Sequence, residues 1–284
     1  FVRDVTVPDG KFISPGAQFT KTWRVMNTGY CTWTSDTALV FVSGSQMNGP
    51  NSVKLGSTVR PGEVIDISVN LTAPSQNGAY TGFYKLRDAA GNLFGWGPDA
   101  DQAFWVSINV GVAPTLGPNT SMSFVQNYCA AEWRNSSSAL SCPGLGDNFS
   151  DGSVIINLAP ILEGGVKGSG PALVTIPNNG EGGVISGKYP AFLVKTGDRF
   201  SAQVGCLDSS PNCSVNFLLN YSANNGPVKT LGSWAESSNG ATSQINVDLS
   251  ALANQSVQFI LDVENSNGSS KDDRAFWLLP AIKR

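Results

Sequence analysis

Short runs in which every second residue is apolar recur along this chain. Ile65, Ile67, Val69 and Leu71 alternate with Asp66, Ser68 and Asn70, and Phe104, Val106, Ile108 and Val110 repeat the pattern. Successive side chains on a strand point to opposite faces, so each run offers one face to a core and one to water. Such strands bury their apolar faces by stacking sheet on sheet. Turn pairs punctuate the runs at Pro8-Asp9-Gly10, Pro15-Gly16, Asn27-Thr28-Gly29, Pro61-Gly62, Asn77-Gly78 and Gly91-Asn92, a spacing that suits hairpins and sandwiches. Only 14% of residues are charged and Gly, Ser, Asn and Thr are abundant. The expectation is an all-β protein.

The 284 residues suffice for two domains, each with its own core. There is no histidine, which removes Ser-His and Cys-His nucleophile pairs, the commonest general base and most zinc sites. A net charge of -3 without a basic run lacks the counterion-release term that drives nucleic-acid affinity, so no nucleic-acid partner is expected. No apolar run approaches the roughly 18 residues of a membrane span. Phe1 opens directly in strand-like sequence without a leader pattern, and the chain reads as mature or trimmed.

The five cysteines fall as Cys129 with Cys142, Cys206 with Cys213, and Cys31 alone. The loop from Cys206 to Cys213 is turn-rich and lies between two alternating runs, so a cross-link there needs little distortion. Both pairs are expected as disulfides, which implies an extracellular or cell-surface location. Cys31, two residues before Trp33, is expected as a buried small hydrophobe. Asn-x-Ser/Thr sequons at Asn70, Asn119, Asn135, Asn148, Asn212, Asn220, Asn254 and Asn267 are candidate glycosylation sites.

In Phe19 to Trp33, two tryptophans, a cysteine and an Asn-Thr-Gly turn meet where one strand ends and the next begins. Trp23 and Val25 share a face with Phe19, and an indole there can anchor the space between two sheets. The first segment holds about seven strands, the scale of an immunoglobulin-like module. The set Asp4-Val-Thr-Val-Pro-Asp-Gly10, Phe19-x-Lys-Thr-Trp-Arg24, Asn27-Thr-Gly-x-Cys-Thr-Trp33, Pro61-Gly-Glu63, Gly78-x-Tyr80, Lys85-Leu86 and Phe104-Trp105 resembles the four-tryptophan immunoglobulin-like domain. That family occurs in a selective-autophagy cargo receptor and in bacterial secreted or surface proteins. The resemblance implies a protein-binding or spacer module without catalysis. It maps signature tryptophans onto Trp23, Trp33 and Trp105 as a recurring core, while the remaining position is Tyr84.

Residues 1 to 110 are thus read as the immunoglobulin-like domain, residues 111 to 120 as a Gly/Pro-containing stiff linker, and residues 121 to 284 as a second β-sandwich. Alternating runs there include Phe200-Ala202-Val204, Val215-Phe217-Leu219-Tyr221, Ile245-Val247-Leu249 and Val257-Phe259-Leu261-Val263. Long Gly/Asn/Ser stretches between runs suit a jelly roll. Asp248 to Ala253 is read as one helical turn at most. Gly197-Asp198-Arg-Phe200, Val204-Gly205, Val247-Asp-Leu-Ser250 and Asp273-x-x-x-Trp277-x-x-Pro280 loosely resemble galactose-binding-like, carbohydrate-binding jelly rolls.

Without histidine, an enzyme here would need two carboxylates, as in a glycoside hydrolase. The candidates Glu163, Glu181, Asp198 and Glu236 sit in Gly/Ser/Asn-rich loops or turns and are read as solvated acids. Asp147, Asp151 and Gly152 match half of an acidic calcium loop, but Phe149 occupies a ligand position. A structural calcium held by Asp147, Asp151, Asp272 or Asp273 stays open, and no other cofactor is implied. For sugar recognition, which uses aromatic platforms, the candidates are Trp234, Tyr189 and Trp133. The expected function is a non-enzymatic extracellular or cell-surface structural and adhesion protein that pairs with copies of itself or with surface proteins, with self-assembly through sandwich edges. The alternative is a carbohydrate-binding protein whose second domain grips a polysaccharide.

Overall fold

The computed structural model describes residues 1–112, 117, 119–144, 150–180, 182–266, 268 and 272–284. The chain divides into two compact units, Phe1–Val112 and Ala113–Arg284. Both are all-β. The only helical pieces among the described residues are single 3-10 turns at Tyr128–Ala130, Glu163–Gly165 and Ser250–Leu252, and no helix is long and apolar enough to cross a membrane.

Unit 1 holds β1 (Arg3–Asp4), β2 (Lys11–Ile13), β3 (Gln18–Met26), β4 (Ala38–Gly44), β5 (Ser52–Lys54), β6 (Val64–Thr72), β7 (Gly78–Arg87), β8 (Leu93–Phe94) and β9 (Phe104–Val110). One sheet runs β1-β3-β6 and the other β2-β9-β7-β4-β5, with β8 on β7. Alternation selects the inner faces: Ile67, Val69 and Leu71 of β6 meet Leu39, Leu86, Phe104, Val106 and Ile108 in one core. Each such side chain taken fully out of water stabilises the sandwich by about 1.5–3 kcal/mol. Trp23 is buried at the centre, 5.4 Å from the Tyr84 ring. Its Nε1–H crosses to the facing sheet and donates to the Trp105 carbonyl at 2.8 Å.

The other two tryptophans expected in the core, Trp33 and Trp105, are only half-buried. Trp33 is half-buried and packs on the core margin. Trp105 lies on the opposite side of β9 from Phe104 and Val106, half-buried, 6.0 Å from Trp96. Its indole N–H is taken by Asp9 Oδ2 at 2.8 Å. Alternation along β9 dictates this, because a residue next to an inward Phe104 must face outward. Lys21 is fully buried and binds Asp4 and the Val7 carbonyl, both at 2.8 Å. This cation pins the N-terminal segment onto β3.

Unit 2 begins with β10 (Thr120–Ser123), β11 (Glu132–Arg134), β12 (Ser153–Asn157), β13 (Ile161–Leu162), β14 (Val166–Lys167), β15 (Ala172–Ile176) and β16 (Val184–Lys188). It continues with β17 (Phe192–Leu193), β18 (Arg199–Cys206), β19 (Ser214–Ala223), β20 (Lys229–Ser237), β21 (Ser243–Asp248), β22 (Ser256–Asn265) and β23 (Ala275–Lys283). The sheets run β12-β15-β23-β18-β21, with β10 on β23, and β11-β16-β22-β19-β20, with β17 on β22. Aromatic rings fill the space between them. Phe217 meets Trp277 at 4.9 Å, and Phe124 meets Tyr189 at 4.7 Å and Phe200 at 5.2 Å, all edge to face. A second cluster forms where Leu162, in the β13-β14 hairpin, packs with Leu207, Phe276 and Leu278.

Disulfides join Cys129 to Cys142 and Cys206 to Cys213, and Cys31 is a free, exposed thiol. Cys31 therefore corrects the expectation of a buried cysteine. It stands in the turn after Asn27 rather than in a strand, so no sheet face covers it.

Candidate functional site

The corner at Asn27 is held by that one side chain. Asn27 is fully buried, and its Nδ2 donates to the carbonyls of Cys31 at 2.9 Å and Val59 at 3.0 Å. Its Oδ1 accepts the Gly29 N–H at 3.1 Å. Trp33 and Val59 exchange both main-chain hydrogen bonds at 2.9 Å. The backbone of the turn is thereby satisfied from within, and the Tyr30 side chain is pushed out to full exposure.

Beside this turn lies a groove of about 540 Å³. Tyr30, Cys31, Trp33, Ala89, Ala90 and Phe94 are among its lining residues. The Trp33 and Phe94 rings stand 5.7 Å apart. Asp88 is the one charged lining residue. The Asn92 amide and N–H hold its carboxyl below the usual carboxylate range and fix the β7-β8 turn. An apolar concavity with aromatic walls and few polar groups can accept an apolar side chain from a partner. The sequence places Trp33 in the core and does not single out Tyr30, Ala89, Ala90 or Phe94. The available signal was an aromatic residue in the middle of a polar turn, where no alternation directs it inward.

In unit 2 the three aromatic platform candidates separate. Tyr189 and Trp133 are buried, their rings 6.2 Å apart, and neither can stack on a sugar. Trp133 faces Gly187 across the β11-β16 ladder, and its ring fills the place a Cβ would take at Gly187. Trp234 is half-buried on the edge strand β20. Its ring lies over Gly232, where a Cβ would otherwise stand. Glu236, two residues further on the same face, is buried, and its carboxyl is pushed up by burial, with Ser243 opposing and Glu163 adding to the shift.

The expected solvated acids prove otherwise. Glu163 is buried, with Oε1 accepting the Cys206 N–H at 3.0 Å and Oε2 accepting those of Asn239 and Gly240 at 2.9 Å. Asp198 is buried between Arg284, at 2.7 Å, and the Lys195 N–H, at 2.8 Å. Loop acids in small polar sequence become buried because turn N–H groups need acceptors. Glu181 lies outside the described residues.

Among the described residues the calcium candidates assemble no group of three or more ligands. Asp147 lies outside the described residues, and Asp151 is exposed. Asp272 accepts from Asn212 at 2.9 Å, and Asp273 accepts the Ser214 N–H at 2.9 Å. Burial lifts the Asp273 carboxyl to about 6, and its Oδ2 has no partner. One orphaned oxygen does not meet the six to eight oxygens calcium takes, and no group of three or more metal-ligating acids or thiols forms among the described residues. Of the sequons, Asn135 and Asn220 are buried and cannot accept a glycan. Asn70, Asn119, Asn212 and Asn254 are exposed, and Asn148 and Asn267 lie outside the described residues.

Residues 6–110 match the family model described as the Ig-like domain from next to BRCA1 gene. The match carries the immunoglobulin-like description, not the four-tryptophan name. Protein ILRUN of Danio rerio is 34% identical over 123 residues, 43% of this chain and 41% of that protein. Next to BRCA1 gene 1 protein of Homo sapiens is 34% identical over 114 residues, 39% of this chain and 11% of that protein. The chain spans less than half the length of these relatives. Among solved structures, carbohydrate-binding modules of the β-sandwich superfamily align over 95% of this chain and 94% of theirs, with 11% identity and a TM-score of 0.38. TmCBM61 with β-1,4-galactotriose aligns over 61% of this chain and 99% of its own, with 14% identity and a TM-score of 0.36.

These relatives correct the expected extracellular or cell-surface location, because the NBR1- and ILRUN-type proteins matched are intracellular. The expectation rested on the cysteine pairs. Both disulfides lie in unit 2, outside the matched segment.

Proposed function

We propose that this chain is a non-catalytic binding protein whose first unit docks a polypeptide segment in the Tyr30-Trp33-Phe94 groove. The observation that carries this reading is the fully exposed Tyr30 ring held out by the Asn27-locked turn beside an apolar hollow. Exposed tyrosine and tryptophan around a pocket are the residues that anchor protein interfaces. A relative over 29% of the chain is named autophagy receptor Nbr1, in Schizosaccharomyces pombe, which accords with a binding rather than a catalytic unit. The absence of histidine from the sequence and the internal hydrogen bonds of Glu163 and Asp198 support the non-catalytic part.

A random-sequence peptide library selected on the full chain supplies the probe. An enriched peptide is then titrated against wild type, Tyr30→Ala and Ala90→Arg. Binding weakened about tenfold or more by both, with unchanged melting, supports the groove. Equal affinity in all three proteins contradicts it.

Trp234, half-buried on the edge strand, favours a second reading, in which unit 2 binds carbohydrate at the β20 edge. A pyranose face stacks on an indole, and Trp234 alone of the three candidates keeps surface for this.

A further inference from the structure

The β1-β3-β6 sheet ends on β6. The ladder to β3 runs unbroken from Gln18 opposite Thr72 to Met26 opposite Val64. In an antiparallel pair, alternate residues turn their N–H and C=O groups to opposite sides. Beyond one end of the ladder the Asn27 N–H donates to the Glu63 carbonyl, and at the other the Thr72 N–H donates to Met47 rather than to β3. Ile65, Ile67, Val69 and Leu71 share the Glu63 parity and bond to β3. Val64, Asp66, Ser68 and Asn70 therefore direct their main-chain groups outward, and no strand among the described residues takes them up.

Sheet edges are ordinarily blunted by shortness, by lysine, by proline or by a bulge. In this chain β2 and β5 are 3 residues long, and β5 ends on Lys54. The edge strand β20 begins on Lys229 and meets a register shift at Leu219/Asn220. The strand β6 has 9 residues with no proline, no lysine and no shift, and Val64 at its start is exposed.

We propose that β6 pairs with β6 of a second copy of this chain, antiparallel about a two-fold axis through Ser68. This register overlaps Ile65 to Leu71 on both copies and stops at Thr72, whose N–H Met47 already takes. Ser68 lies opposite its own copy, Asp66 opposite Asn70, Ile67 opposite Val69 and Ile65 opposite Leu71. Asp66, the one charge on β6, meets an amide and is already bound by Arg24 through two hydrogen bonds of 2.7 Å. Centring the pair on Asp66 instead would oppose two carboxylates, and a two-fold contact of this kind closes at the dimer.

Sedimentation of the full chain over a concentration series tests this, together with oxidative cross-linking of Ser68→Cys and Asn70→Cys, each with Cys31→Ser. Directly opposed residues of a hydrogen-bonded pair stand about 5.5 Å apart, within disulfide reach. We expect a concentration-dependent dimer, a reducible cross-link at Ser68→Cys, and none at Asn70→Cys. Asn70→Lys, which sets a cation against Asp66 twice per dimer, tightens association roughly three- to tenfold. A chain that stays monomeric throughout, a cross-link equally efficient at both positions, or a dimer indifferent to Asn70→Lys overturns the proposal.

Discussion

Burial sets the ionisation of Asp9. Desolvation lifts its carboxyl from the usual 3.8 to about 6, against the pull of Lys21 and the Trp105 indole N–H. The folded chain then holds this proton more tightly than the unfolded chain. The resulting stability is fully present below about pH 3.8 and is lost as the pH rises through 6. Asp9→Asn keeps an acceptor for Trp105 and removes the titration, so the melting of unit 1 in this variant should fall less than wild type between pH 4 and 7. Asp273 titrates in the same window, but in unit 2. Tyr84 gives a second test, since its buried hydroxyl has no partner. Tyr84→Phe should stabilise unit 1 by about 1 kcal/mol in urea unfolding, because an unsatisfied buried polar group is removed. The resemblance puts Tyr84 at a position where a tryptophan would be expected. It does not show that the ring lies in the core, wedged between Trp23 and Phe41, because that depends on which strands face β7.

At the scale of elements, Glu163 acts as a clamp. Its carboxylate ties the turn after β20, through Asn239 and Gly240, to the Cys206 end of β18. Glu163→Ala strands three N–H groups and should cost unit 2 about 3 kcal/mol in chemical denaturation, whereas Glu163→Gln, which keeps one acceptor, should cost less. Strands were legible in the sequence wherever alternation was strong: the runs at Ile65, Phe104, Val215 and Val257 lie in β6, β9, β19 and β22. Their neighbours were not, because pairing is set by contacts between segments far apart in sequence. Trp133 and Tyr189 read as possible platforms, yet Trp133 is buried by Gly187 across its ladder and Tyr189 by Phe124. The Gly-rich stretch from Glu163 to Gly170 is among those that suit the extended loops of a jelly roll. Leu162, just before it, instead reaches Leu207 and Phe276 and seals a small core.

On the scale of the molecule, the chain is two sandwiches, each with a cue for binding. If the β20 edge of unit 2 takes a sugar, Trp234→Ala should abolish signals on a glycan array while leaving melting intact, and an unchanged array would remove that reading. The central claim concerns unit 1, where an Asn27-locked turn holds Tyr30 beside an apolar groove. The most direct measurement is a map of backbone amide shifts in the full chain on adding the library-selected peptide. The account predicts the largest shifts at Gly29 to Thr34, Asp88 to Ala90 and Phe94. Shifts confined to unit 2, or scattered over unit 1 with those residues unmoved, would contradict it.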